Sequence, residues 1–105
     1  MYNLKFLDQY LIDVALTLGY ISNVLFNYDA SVNLKKAIDD KLDEIEKHPY
    51  FFTIHNWKTK HDHEYRKAKV KNYYIFFYVE EATKEIVVAR LVYVGRNLIN
   101  SQYID

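Results

Sequence analysis

Between Trp57 and Lys71 the chain concentrates Lys58, Lys60, Arg66, Lys67, Lys69 and Lys71, opposed only by Asp62 and Glu64, with His61 and His63 adding partial charge. Tyr65, Tyr73 and Tyr74 stand in and beside this run. Ammonium and guanidinium groups interleaved with aromatic rings are the equipment for phosphate contact and base stacking. Lys58, Lys60, Lys69 and Lys71 are accordingly candidate nucleic-acid contacts, and Trp57, in a connecting segment, is a further contact candidate. A structural alternative stays open, because lysines also protect an edge strand from aggregation. His61-Asp62-His63 invites a metal, since His residues at i and i+2 of a strand share a face, but no third ligand is fixed and His55 lies six residues away. We therefore expect no metal and no cofactor. Tyr73, Phe76, Phe77, Tyr78 and Tyr93 are expected in the core or on a sheet face rather than stacked on bases.

Other chemistries are excluded by composition. With no cysteine, thiol catalysis, disulfides and Cys-bearing zinc sites are out of reach. No glycine-rich phosphate loop, Ser/His/Asp spacing or paired carboxylate motif is visible. The 105 residues suit one domain, 1–105, and a chain that is 50% hydrophobic and 17% aromatic must pack a core. The formal net charge is zero, yet five lysines face eight acids in residues 1–50, so the second half carries the positive excess. No apolar stretch reads as a membrane span, because Asp13 interrupts the longest, and the expected location is cytoplasmic.

The elements that must position these cations follow from two periods. Leu7, Leu11, Val14, Leu18, Ile21 and Leu25 recur at helical spacing from Asp8 onward. Leu34, Ile38, Leu42 and Ile45 repeat the pattern in a second helix, with Asp29 as its N-cap and His48-Pro49 as its end. Its charged outer face, from Lys35 to Lys47, is a solvated one. Beyond Pro49, the only proline, the period falls to two. Strands are expected over 65–71, with Lys67, Lys69 and Lys71 on one face and Arg66, Ala68 and Val70 on the other, then over 73–79 and 85–94. Tyr2, Leu4 and Phe6 alternate as a short opening strand. The expected fold is α+β: an N-terminal strand and an antiparallel helical hairpin packed on one face of a small, mostly antiparallel sheet.

The run Tyr65-Arg66-Lys67-Ala68-Lys69-Val70-Lys71-Asn72-Tyr73-Tyr74-Ile75-Phe76-Phe77-Tyr78-Val79 resembles the central strands of the RelE/ParE superfamily of type II toxins. Arg90-Leu91-Val92-Tyr93-Val94-Gly95-Arg96-Asn97 is similar to that superfamily's closing strand, and the order of elements agrees over nearly the whole chain. The resemblance implies a growth-inhibiting toxin of a toxin-antitoxin module, of the kind linked to plasmid stabilisation, held inactive by a cognate antitoxin protein. It implies a partner helix across the hairpin and an acidic extended segment near Lys67, Lys69 and Arg96. Without that partner, exposed apolar surface would drive a homodimer.

Two targets occur in the superfamily: the ribosome, where an mRNA interferase cuts mRNA, and DNA gyrase, which ParE-like members inhibit without nuclease activity. For cleavage, the resemblance nominates Arg66, Lys67 and Lys69 for phosphate contact, Arg96 just after the last strand, and Tyr103 near the C-terminus. The nuclease pattern also has an Arg where this chain has Tyr74, and an aromatic ring supplies no guanidinium fork. The zero net charge and long first helix favour the gyrase reading, while the cationic strand and Tyr103 favour endoribonuclease activity by a small margin. A third reading is an inactive relative that only binds an antitoxin.

Overall fold

The two periods survive as two layers in the computed structural model, which describes residues 1–55 and 63–95. Strand β1 (Asn3–Phe6) leads into helix α1 (Asp8–Gly19), a π-helical turn at Tyr20–Val24 and helix α2 (Tyr28–Lys47). A 3-10 turn at Pro49–Phe51 then precedes β2 (Thr53–Ile54), β3 (Arg66–Val70), β4 (Tyr73–Glu80) and β5 (Glu85–Tyr93). The sheet order is β1-β5-β4-β3-β2, and β1 alone runs parallel to its neighbour, β5. The α+β layout is therefore as expected, with one added strand, β2.

The hairpin packs on one face of the sheet. Leu34, Ile38, Leu42 and Ile45 are buried against Ala68, Val70, Ile75, Phe77, Ile86, Val88 and Leu91. Strand β4 is central, and Ile75, Phe76 and Phe77 are fully buried on its two faces, which is why its sequence is a continuous apolar run rather than an alternating one.

Three local expectations change. The α2 N-cap is Asn27, whose side-chain oxygen accepts from the Ala30 N–H at 3.1 Å, two residues before the expected Asp29. In α1 the buried stripe is rotated: Tyr10 is buried, and Val14, Leu18 and Ile21 pack beside it, while Leu11 and Leu25 are about half exposed. Tyr10 carries more apolar surface than Leu11, and its ring stacks on Phe6 with centroids 5.5 Å apart. Finally, β3 ends at Val70, so Lys71 lies in the two-residue β3–β4 turn with φ 51°, not on the strand face shared by Lys67 and Lys69. A positive φ at that first turn position suits glycine best.

An irregularity in β5 governs how α1 attaches. Phe76 pairs with Arg90 and Phe77 with Val88, which leaves Ala89 as an extra residue, a β-bulge. Just past the bulge, beyond the last residue of β5 that β1 pairs, Arg90 Nε donates to Asp13 Oδ2 at 2.7 Å and its Nη2 to Asp13 Oδ1 at 3.3 Å. The same Oδ2 accepts the Leu91 backbone N–H at 3.0 Å. Asp13, which interrupts an apolar stretch of the sequence, thus supplies the acceptor that a neighbouring strand would otherwise provide. At the opposite end of the sheet, the Tyr2 hydroxyl donates to Glu81 Oε2 at 2.5 Å and the Tyr50 hydroxyl to the same oxygen, while Lys84 Nζ donates to Oε1 at 2.7 Å. The hydrogen bond from Lys84, followed by those from the two phenols, holds the Glu81 carboxyl down to about 2.

Asp13→Ala strips Arg90 of its counter-charge and Leu91 of its acceptor, and is expected to lower stability by about 2–4 kcal/mol. Asp13→Asn, which keeps an acceptor oxygen, is expected to lose about half as much; equal urea midpoints for wild type and Asp13→Ala would contradict this account. Lys71→Gly relieves a left-handed backbone that costs about 1–2 kcal/mol for a non-glycine residue. This exceeds the unfolded-chain freedom it adds, about 0.4–1 kcal/mol. The variant should melt at or above the wild-type temperature.

Candidate nucleic-acid interface

The sheet face turned away from the helices carries a second, aromatic cluster. Tyr65, Phe76, Ala89 and Val92 are buried there, with Leu7, Tyr74 and Tyr78 packed against them. Pairing of β3 with β4 sets Lys67 opposite Phe76 and Lys69 opposite Tyr74. The two lysines, i and i+2 on one strand, are therefore about 7 Å apart along β3 and share this face. Lys67 Nζ lies 5.0 Å from the centre of the Tyr74 ring, within cation–π range, and Lys69 is exposed. The aromatic at position 74 thus seats a cation instead of supplying one.

Two histidines join this face through the segments flanking β2 and β3. The His55 N–H donates to the Tyr65 carbonyl at 2.8 Å, which continues the β2–β3 ladder by one residue. Its ring meets Phe76 edge-on at 5.2 Å. Burial, and then the Lys67 charge, lower the His55 pKa below the usual 6.5, which favours the uncharged imidazole. His63 stacks on Tyr78, with centroids 3.8 Å apart and planes 6° from parallel. His55 could not be found by spacing, because its place depends on β2, a two-residue strand with no sequence signature of its own. Among the described residues, no group of three His, Asp or Glu side chains is placed to hold a metal.

Arg66 sits apart from the lysines. Its Nη1 donates to the Phe52 carbonyl at 2.8 Å and its Nη2 to Glu64 at 3.2 Å, and its guanidinium lies 5.0 Å from the Tyr50 ring centre. With its side chain only 13% exposed, Arg66 fastens the 3-10 turn to the sheet from the helix-bearing side. Lys67 and Lys69 are thus brought together with Tyr74 and His55, while Arg66 faces elsewhere and Lys71 stands at the turn. Lys58, Lys60, Arg96 and Tyr103, with Trp57, His61 and Asp62, lie outside the described residues.

A second surface is apolar. On α1 and the hairpin tip, Ile12, Leu16, Tyr20, Val24, Phe26 and Tyr28 are roughly half or more exposed, and Phe26, held at φ 52°, is 88% exposed. Large side chains presented in this way mark a docking surface rather than a core. No helix of the described residues is long and apolar enough to cross a membrane.

No protein-family model and no curated protein matches the chain. Solved structures do. The chromosomal ParDE toxin-antitoxin system from P. aeruginosa superposes with TM-score 0.71 at 15% identity, over 90% of this chain and 98% of that one. An archaeal RelE-RelB complex from Pyrococcus horikoshii OT3 superposes with TM-score 0.56 at 18% identity, over 91% of this chain and 98% of that one. The strand, the helical hairpin and the sheet order described above are, together, the RelE/ParE fold.

Proposed function

We propose that the chain is the toxin of a type II toxin-antitoxin module and that it acts on RNA through the sheet face bearing His55, Lys67, Lys69 and Tyr74. The observation that carries this reading is the placement of His55, whose ring meets Phe76 edge-on, on the same face as Lys67, which itself lies over the Tyr74 ring. In RNA cleavage His55 accepts the proton of a 2′-hydroxyl, whose oxygen attacks the adjacent phosphorus while the bond to the 5′-oxygen breaks. Lys67 and Lys69 neutralise charge on the non-bridging phosphate oxygens, and the Tyr74 phenol delivers a proton toward the departing oxygen. Arg96 and Tyr103, nominated by the resemblance, would add a second phosphate contact and a second proton donor. Lys71, at the β3–β4 turn, adds a further cation for the RNA backbone, and Lys58 and Lys60 are nominated for the same role from the sequence. The apolar surface of the hairpin is where a cognate antitoxin covers the toxin.

A second reading has its own support. The superposition on ParDE is the better of the two, and Arg66 is engaged within the fold rather than on the lysine face. Both fit a ParE-like gyrase inhibitor that cuts nothing. Induction of the chain in growing cells separates the two: mapped mRNA 5′ ends at ribosomal A-site codons support cleavage. Intact transcripts, arrested growth and inhibition of DNA supercoiling by the purified protein support the gyrase reading.

If cleavage is the activity, His55→Gln and Lys67→Ala are each expected to lower its rate about 100-fold or more, and Lys71→Gly is expected to weaken RNA binding while keeping the fold. The pH dependence has a definite sign. The rate stays flat above pH 6.5 and falls on the acid side as His55 is protonated, and Lys67→Ala moves that inflection upward because one cause of the lowered pKa is gone. Folding stability follows the same direction: below about pH 6.5 the unfolded chain binds the His55 proton more readily than the folded one, so stability declines on acidification.

A further inference from the structure

His55 follows β2, a strand too short to place it. Both residues of that strand, Thr53 and Ile54, are exposed, so side-chain packing fixes neither its height nor its register. Two adjacent residues of β3 do the holding. At one end the Tyr65 carbonyl accepts the His55 N–H at 2.8 Å, and at the other Arg66 Nη1 donates to the Phe52 carbonyl at 2.8 Å. Residues 52–55 are thus tied at both ends to one dipeptide. The Phe52 ring adds an edge-on contact with Phe77, centroids 5.8 Å apart. The guanidinium is itself braced, for it lies 5.0 Å from the centre of the Tyr50 ring, and the Tyr50 hydroxyl donates to Glu81 in the β4–β5 turn. Alternate residues of a strand face opposite ways, so Arg66 acts from the helix side while Lys67, next in sequence, stands on the face that His55 joins.

Resting on the nuclease reading, we infer that Arg66 is a positioning residue: by holding the Phe52 carbonyl it sets the place of the His55 ring against Phe76 and Lys67, and it touches no RNA. Its side chain, 13% exposed, is too enclosed for a phosphate contact, and its donors are committed to the Phe52 carbonyl and Glu64. The contact it protects is a narrow one. His55 meets Phe76 edge-on at 5.2 Å, a geometry that a small slide of β2 along β3 destroys. Misplacing a proton acceptor by about 1 Å costs a reaction about 100-fold, so a side chain that never meets substrate still governs the rate. Lysine is no substitute, because an ammonium is a point charge and cannot bond Phe52, pair with Glu64 and lie against Tyr50 at once.

The full chain and its Arg66→Ala, Arg66→Lys and Tyr50→Phe variants are compared in RNA cleavage, in RNA affinity and in the histidine ring titrations followed by NMR, with His55 assigned through His55→Gln. Arg66→Ala is expected to lower kcat about 10–100-fold while KM, RNA affinity and its salt dependence stay unchanged. Arg66→Lys restores the charge and is expected to recover little of that rate. Tyr50→Phe, which releases the brace from Glu81, is expected to show a smaller loss of the same kind, and these two variants decide the matter if the alanine variant unfolds. The His55 inflection should rise toward 6.5 in Arg66→Ala as the ring leaves Phe76 and Lys67. In a His55→Gln background Arg66→Ala should cost nothing further, since it acts through the imidazole alone. Weaker RNA binding with a salt slope lower by about one, recovered by lysine, makes Arg66 a phosphate contact and overturns the inference. So does a His55 inflection that does not move, or a loss of rate additive with that of His55→Gln. A wild-type chain that cuts no RNA removes the nuclease reading, and the His55 titration then decides by itself whether Arg66 sets the place of the ring.

Discussion

One carboxylate organises the join between the two layers. Asp13 meets Arg90 with both oxygens and the Leu91 N–H with one of them, so a single side chain of α1 fixes the helix to the strand at the place where the strand loses its neighbour. A charge only 10% exposed is tolerable because its partner is a guanidinium and its remaining lone pair is used by the backbone. The bulge at Ala89 sets the register of this contact, since a ladder continued unbroken from Val88 would set Ala89 opposite Phe76 and Arg90 opposite Ile75. Helix position and strand register thus share one determinant.

Much of the fold was legible because burial on both sides writes itself plainly. Strand β4 reads as a continuous apolar run and α2 as a strict three-four repeat, and both stand where the pattern placed them. The face of α1 was harder, for its stripe competes with a second set of apolar residues, Leu11, Ile12 and Leu16, that point outward. A period alone does not tell the buried stripe of an amphipathic helix from an exposed one when both are apolar. What settles the matter is tertiary packing: Tyr10 is buried in the core with residues of α2 and the sheet, while Leu11 is left about half exposed.

The candidate site was legible in its charges and not in its proton acceptor. Strand alternation put Lys67 and Lys69 on one face, and they are there. It also separated Arg66 from them, although the resemblance grouped all three for phosphate contact. Lys71 departs because the turn needs a residue in the left-handed region and takes a lysine for it. His55 acquires its meaning only from its neighbours: Tyr65 through the backbone, Phe76 through the ring and Lys67 through charge. The neutral total charge is uneven along the described elements: α2 carries six acids against four lysines, and β3 three cations and no acid.

The extra residue at Ala89 also bears on how this chain is aligned with its structural neighbours. Beyond it, any position counted along the sequence is out of step by one with a strand that lacks the bulge, even though the two backbones superpose. Against such a strand, an ungapped residue-by-residue count would undercount equivalence from Arg90 to Tyr93. An alignment that opens a one-residue gap at Ala89 restores the inward and outward parity, and it brings side chains rather than serial numbers into correspondence.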